Sequence, residues 1–285
     1  MTEYVVAAID GSRFSEGVCD YAAWASQALS VPLNFVHVAD NHSKAPDEQD
    51  LSGNLHFGAR EHLMEELSAL DEQRARLNRQ QGRLMLEAAQ TRAVGKGVTD
   101  ASVRQLNGTL VETLVELENE TRLVVLGKCG ETGHQASGHL GANLERVVRE
   151  MHRPILMVPA TFKPPEKVLI AFDGSKTARK GVEMLARSPL FTGCECHVLI
   201  VGAETAENRS HIDWALAALR DSDHRAEGAI RSGEVEEALH AYEREQGIDL
   251  LVMGAYGHSR IRHLLVGSTT TRMLRQSDLP VLVLR

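Results

Sequence analysis

The chain has 285 residues, 43% of them hydrophobic and 25% charged, the ordinary balance of a folded globular protein and not of a disordered one. Its 31 basic and 39 acidic residues leave a formal charge of −8, which argues against wholesale binding to nucleic acid or to an anionic membrane. At roughly 150 residues per domain the length suits two domains.

The N-terminal run Val5-Val6-Ala7-Ala8-Ile9 closes on Asp10-Gly11-Ser12, the pattern of a buried strand ending in a turn. No basic segment and long apolar run with a small-residue cleavage site opens the chain, so no secretory signal is expected and a cytoplasmic location is. No uncharged apolar stretch reaches the ~18 residues of a membrane span. Cys19, Cys129, Cys194 and Cys196 match no zinc-site spacing; free thiols in a reducing compartment are expected, with no metal.

Around residues 55–95 the pattern turns helical. Leu63, Leu70, Leu77 and Leu84 recur at seven-residue steps, with Leu67 and Ala88 between them and Arg74 and Gln81 interrupting the second stripe. Two readings follow. The helix either covers the sheet with an amphipathic face or protrudes and pairs with a partner, a protein or a second copy. At 1.5 Å per residue it reaches on the order of 50 Å, more than one sheet face needs. Further on, Leu123-Val124-Val125-Leu126-Gly127 and Arg153-Pro154-Ile155-Leu156-Met157-Val158 read as strands. A proline pair, Pro164-Pro165, then suits a short stiff linker.

Beyond it the pattern begins again. Val168-Leu169-Ile170-Ala171-Phe172 closes on Asp173-Gly174-Ser175, 163 residues after its first occurrence. Leu250-Leu251-Val252-Met253-Gly254 repeats 123–127 at an offset of 127, and Leu279 to Leu284 repeats 153–158 at 126. The chain is therefore two copies of one unit, with boundaries at 1–160 and 161–285 and an insertion of about 36 residues in the first. Strands in the second copy are expected near 167–172, 195–201, 224–230, 249–253 and 280–284. Helices are expected near 177–187, 207–221, 233–246 and 268–277. Apolar strands alternating with helices indicate an α/β fold, a parallel sheet with helices on both faces.

The sharpest chemical signal follows the fourth strand of the second copy. It is Gly254-Ala255-Tyr256-Gly257, nine residues, then Gly267-Ser268-Thr269. The glycines allow a tight turn and close backbone approach to a ligand. Ser268 or Thr269 caps the following helix, whose free N–H groups suit phosphate. Arg260, Arg262, His263 and Arg272 add positive charge. In an open parallel sheet ligands lie beyond the carboxyl ends of the strands at the switch point. With a strand order of 3-2-1-4-5, the adenine and ribose lie near Asp173, Val201 and Gly202, and the phosphates over 254–269. Asp173 has a second reading, as a cap of its own turn.

The pattern G-x2-G-x9-G-(S/T), the Asp-Gly-Ser segments and the strand–helix order resemble the universal stress protein family in tandem form, across both halves and most weakly over 41–98. The resemblance implies two doubly wound domains, each a five-stranded parallel sheet in 3-2-1-4-5 order. It further implies ATP or AMP bound where the loop is intact, and pairing through the last strand, here between 154–158 and 280–284. The first copy departs from the pattern. Gly127-Lys128-Cys129-Gly130 is followed by ten residues, then Gly141-Ala142-Asn143, with Ala142 at the hydroxyl position and Glu131 between. Lys128 is left as a candidate phosphate partner. Residues 161–285 carry 16 basic and 17 acidic residues; residues 1–160 carry 15 and 22. The near-neutral half is the better host for a polyphosphate.

No P-loop and no G-x-G-x-x-G after a strand is present. His258 and His263 lie in the intact loop, and His134 and His139 complete no metal set. A stress-response regulatory protein that binds an adenine nucleotide in its second half is the first reading. Two alternatives stand beside it. One is a weak ATPase or autophosphorylating protein, with Asp173 holding Mg2+ and Ser268 or Thr269 near the phosphates. The other is a nucleotide-independent interaction module working through the first half.

Overall fold

The structure, a computed structural model, describes residues 3–39, 57–128, 142–254 and 279–284. The strands are β1 (Tyr4–Ala8), β2 (Leu33–Ala39), β3 (Ala101–Asn107), β4 (Thr121–Gly127) and β5 (Ile155–Val158) in the first half. They are β6 (Lys167–Ala171), β7 (Glu195–Val201), β8 (Arg225–Arg231), β9 (Leu250–Gly254) and β10 (Val281–Leu284) in the second. The helices are α1 (Ser15–Leu29), α2 (Phe57–Gly95), α3 (Leu110–Glu116), α4 (Ala142–Glu150), α5 (Lys176–Ala186), α6 (Ala206–Arg220) and α7 (Val235–Gln246). The strands and helices expected in the second half up to residue 254 lie within a residue or two of these. The helix expected at 268–277 falls outside the described residues. No helix among the described residues is long and apolar enough to cross a membrane.

Local chemistry starts and stops these helices. Ser175 caps α5 by accepting from the Ala178 N–H at 3.1 Å, and Thr205 caps α6 by accepting from the Asn208 N–H at 3.1 Å. Gly247 ends α7 in the left-handed conformation, at φ +65°. Apolar residues at helical spacing, such as Val18, Ala22 and Ala25 on α1, face the sheet.

The ten strands of the described residues form one sheet, in the order β3-β2-β1-β4-β5-β10-β9-β6-β7-β8. Each half is thus a parallel 3-2-1-4-5 sheet. One pair alone is antiparallel among those described: β5 with β10, where Ile155, Leu156 and Met157 face Val283, Leu282 and Val281. Pairing through the last strand, implied by the family resemblance, is therefore made within one chain. Because this pair is antiparallel, the strands of the two halves run in opposite directions. Their carboxyl ends emerge on opposite edges of the sheet. Core residues of α1, α2, α5 and α6 form one cluster on one sheet face; those of α3, α4 and α7 form a second on the other. The outermost strands β3 and β8 carry Arg104, Gln105, Arg225 and Glu227, polar side chains that discourage edge-to-edge association.

The connection from β5 to β6 is held down along its length. Gly17 on α1 lets the chain pass at Pro159 and Ala160, where a Cβ would overlap their backbone. The Tyr21 hydroxyl donates to the Lys163 carbonyl at 3.2 Å, and the Tyr21 ring meets Phe162 edge-on at 4.7 Å. Buried Asp249 pairs with Lys163 and accepts from the Glu166 and Lys167 N–H groups at 3.1 and 3.0 Å. Burial alone would raise the Asp249 carboxyl; the Lys163 and backbone hydrogen bonds outweigh it and hold it below its ordinary range.

The insertion resolves as α2, 39 residues long. Among its described side chains the C-terminal part is seated: Gly82, Leu86, Ala89 and Ala93 are buried against β2, β3 and α1. A bidentate pair fixes that end, with Arg92 Nε and Nη2 donating to the two oxygens of Asp20 at 2.7 and 3.0 Å and Lys96 adding a third contact at 3.1 Å. Burial would raise the Asp20 carboxyl, but the Arg92 and Lys96 hydrogen bonds prevail and its pKa lies below the usual 3.8.

Two predictions follow from this packing. Leu156→Ala, in the fully buried central pair of the seam, is expected to lower stability by about 3 kcal/mol, read as a shift of the urea midpoint. Asp20→Ala is expected to cost about 2 kcal/mol at pH 7, a figure held down by the partial exposure of Arg92. The depressed folded pKa makes this contribution full above 3.8 and lost as pH falls through the lower folded value. The difference between variant and wild type therefore closes in urea titrations under acid conditions.

Candidate functional site

Register brings the sequence candidates together. In the β6–β7 pair Ala171 faces Leu199, so Asp173 and Val201, each two residues on, leave the sheet side by side. In the β6–β9 pair Ile170 faces Val252, which sets Gly254 beside the residue preceding Asp173. Asp173, Val201, Gly202 and Gly254 thus share one carboxyl edge across three neighbouring strands, and each is half-buried. This edge is the switch point of the second half: β6 continues into a crossover on one side and β9 into a crossover toward β10 on the other.

The turn after β6 is firmly built. Asp173 Oδ1 accepts from the Ser175 N–H at 2.9 Å, and the second carboxylate oxygen makes no hydrogen bond among the described residues. The capping reading of Asp173 is therefore realised by one oxygen only. Gly174 stands at φ +73°, where an L side chain is strained, and a Cβ there would overlap the His211 ring. Arg179 Nε donates to the Gly174 carbonyl at 3.2 Å, and its guanidinium lies 4.4 Å above the Trp214 ring. Trp214 in turn stacks on Phe172, with centroids 6.2 Å apart. Arg179, His211 and Trp214 were not legible as site residues. The only sequence signal for the α6 pair is the i, i+3 spacing of 211 and 214, which is shared by any amphipathic helix. His211 Nδ1 is buried and has no hydrogen-bond partner among the described residues.

Next to Val201, the Gly202 N–H donates to the Arg231 carbonyl at 2.8 Å, fixing the end of β7 against β8. At Gly254 no described atom lies within 4 Å of where a Cβ would sit. Gly257, Arg260, Gly267, Ser268 and Thr269 lie outside the described residues, as do His258, His263 and Arg272.

The first half repeats the turn and changes its surroundings. Asp10 Oδ1 accepts from the Ser12 N–H at 3.0 Å and the Ser15 hydroxyl at 3.4 Å. Gly11 stands at φ +75°, with the Met85 sulfur of α2 where a Cβ would go. His37 Nδ1 bonds the Ile9 carbonyl at 2.8 Å. Lys128, a candidate phosphate partner in the sequence, is 4% exposed and its ammonium donates to the Leu279 carbonyl of the other half. A lysine at the end of β4 reaches the inter-half seam because β5 and β10 pair immediately beside it. Cys129, His134, His139, Glu131 and Gly141 lie outside the described residues, as does the Ala142 side chain.

Cys19, Cys194 and Cys196 are buried free thiols; burial pushes Cys19 and Cys196 up to about 12, so neither is a nucleophile. Among the described residues no group of His, Cys, Asp and Glu is arranged to hold a metal.

Comparison with known proteins agrees with this architecture. The family model described as the universal stress protein family matches residues 1–159 and 199–285. The unmatched stretch includes β6 and Asp173-Gly174-Ser175, to which the structure gives the same turn as its matched counterpart. The chain is 37% identical over 279 residues to universal stress protein Slr1230 of Synechocystis sp., covering 97% of both chains. It is 23% identical over 304 residues to universal stress protein Rv1996 of Mycobacterium tuberculosis, covering 99% of this chain and 94% of that protein. The crystal structure of a universal stress protein from Archaeoglobus fulgidus superposes with a TM-score of 0.67 at 19% identity, over 99% of this chain and 96% of that one, a likeness of fold. With a family model spanning most of its length and a relative matched nearly end to end, this chain belongs to the universal stress protein family.

Proposed function

We propose that the chain is a stress-response regulatory protein that binds an adenine nucleotide, ATP or AMP, in its second half. The observation that carries the reading is the junction at Gly254. There the pattern G-x2-G-x9-G-S begins at the carboxyl edge that Asp173, Val201 and Gly202 share. The carboxylate oxygen of Asp173 that makes no hydrogen bond among the described residues, and the backbone at Val201 and Gly202, suit the hydrogen-bonding edge of an adenosine. The Nδ1 of His211, which has no hydrogen-bond partner among the described residues, is a further polar group at that edge. Gly257, Arg260, Gly267, Ser268 and Thr269 supply the phosphate contacts: backbone N–H groups, a hydroxyl and a cation.

The two halves, 1–160 and 161–285, are read as units with different tasks. The first retains the Asp-Gly-Ser turn but has Ala142 in place of the hydroxyl, and its Lys128 is engaged at the seam. Its acidic balance, 15 basic against 22 acidic residues, also disfavours a polyphosphate. Nucleotide occupancy of the second half alone is the state on which regulation would act.

Native mass spectrometry of the purified chain is expected to show one adenine nucleotide per chain. Protein that is repeatedly empty and unresponsive to millimolar ATP overturns the proposal. Ser268→Ala and Gly267→Val are each expected to weaken ATP binding at least ~10-fold in calorimetry, since each removes or blocks a phosphate hydrogen bond. Equal affinity in both variants would remove the phosphates from this loop. Gly174→Ala, which forces a Cβ at positive φ onto His211, is expected to lower the melting temperature and to weaken nucleotide binding together.

A further inference from the structure

The long helix of the first half has two parts with different surroundings. From Gly82 onward it lies on the sheet, approaching so closely that a Cβ at Gly82 would overlap the His37 ring. Gln105 Nε2 donates to the Arg79 carbonyl at 3.1 Å and marks the start of that contact. Every residue from 64 to 81 is exposed, and the part before Arg79 is a free-standing stretch of about 22 Å at 1.5 Å per residue. This stretch is not uniformly polar. Leu70 and Leu77 are each 56% exposed and Leu84, one heptad on, is 59% exposed. Leu84 points away from the sheet although its neighbours Met85 and Leu86 pack inward, so the leucine stripe is a second face, separate from the one that seats the helix. An exposed apolar seam at seven-residue spacing is what one coiled-coil helix offers another.

The charges say which partner. Residues 64–72 hold Glu65, Glu66, Asp71 and Glu72 and no base; residues 74–83 hold Arg74, Arg76, Arg79 and Arg83 and no acid. Arg83 also pairs along its own helix with Glu87 at 2.8 Å; the other three arginines make no ion pair among the described residues. The sign changes at Gln73, and Leu70 and Leu77 stand at equal distances on either side of the midpoint between residues 73 and 74. A stripe and a charge pattern centred on the same point are complementary to themselves when one copy is turned end for end. Leu70 then meets Leu77 of the partner, and the acidic half lies along the basic half. A parallel pairing would set acid against acid and base against base.

We propose that α2 joins two copies of this chain through an antiparallel helix pair centred between Gln73 and Arg74. The interface is isologous, the same patch on both copies, and closes as a two-fold dimer. Arg74 and Gln81, which interrupt the second stripe between Leu67 and Ala88, limit alternative registers.

Sedimentation velocity on the full chain tests this. The expected mass is twice the 31.3 kDa of one chain, falling toward one chain as salt is raised, because exposed opposite charges are screened. The double variant Leu70→Glu, Leu77→Glu is expected to be monomeric and to keep a single cooperative melting transition, since both residues are exposed before the seated part of the helix. Reversing Arg74, Arg76 and Arg79 to Glu is expected to abolish the dimer, and adding Glu65→Arg, Glu66→Arg and Asp71→Arg to restore it. A wild type that is monomeric at every concentration overturns the proposal, as does a dimer that survives the leucine substitutions. A dimer indifferent to the arginine reversal overturns the antiparallel arrangement, because only that arrangement opposes the two charge blocks.

Discussion

The antiparallel contact of β5 with β10 is the constraint on which the rest of the molecule depends. Each half by itself would end in a short, wholly apolar edge strand, Ile155–Val158 or Val281–Leu284, with an unpaired row of backbone donors and acceptors. Such an edge is a template for aggregation, and joining the two edges removes both. The direction of the joint has further consequences. Parallel strands within each half and an antiparallel pair between them force the two carboxyl edges to opposite sides of one sheet. The turn at Asp173 and the turn at Asp10 therefore face away from each other. A signal between them has to cross the seam, where Lys128 of one half already bonds Leu279 of the other.

The connection between the halves serves the same joint. A flexible tether would permit the last strands to pair with those of other chains. Here Gly17, Tyr21 and Asp249 grip residues 159–167 at both ends, so the second half is delivered to the first at high effective concentration. The Asp20–Arg92 pair does a related task for α2. It anchors the C-terminal end of the 39-residue helix, whose residues 64–81 are all exposed.

Duplication has left the halves alike in frame and different in detail. Both retain a glycine at positive φ after the first strand, and in both a side chain from the crossover helix fills the space a Cβ would need: Met85 in one, His211 in the other. A thioether against a glycine closes that surface with apolar contact; an imidazole leaves a polar atom. The difference parallels the loops, intact after β9 and altered after β4.

The sequence by itself determined the fold class, the repeat, the strand order carried by the family pattern, and most element boundaries. These depend on local periodicity and on turn residues such as Gly174 and Gly247, whose effects act within a few positions. Asp173, Val201, Gly202 and Gly254 were legible for the same reason, each standing at a strand end. The tertiary structure alone decided which distant groups meet there. Nothing local distinguishes His211 or Arg179 from other residues of amphipathic helices; they reach the turn at Gly174 because α5 and α6 pack over it. Nor does local sequence tell which face of α2 is seated. The leucine repeat is the more regular apolar pattern, yet the sheet takes the face of small residues, Gly82, Ala89 and Ala93. Small side chains there let the helix lie close, with Leu86 packed among them, and Leu70, Leu77 and Leu84 are left facing outward.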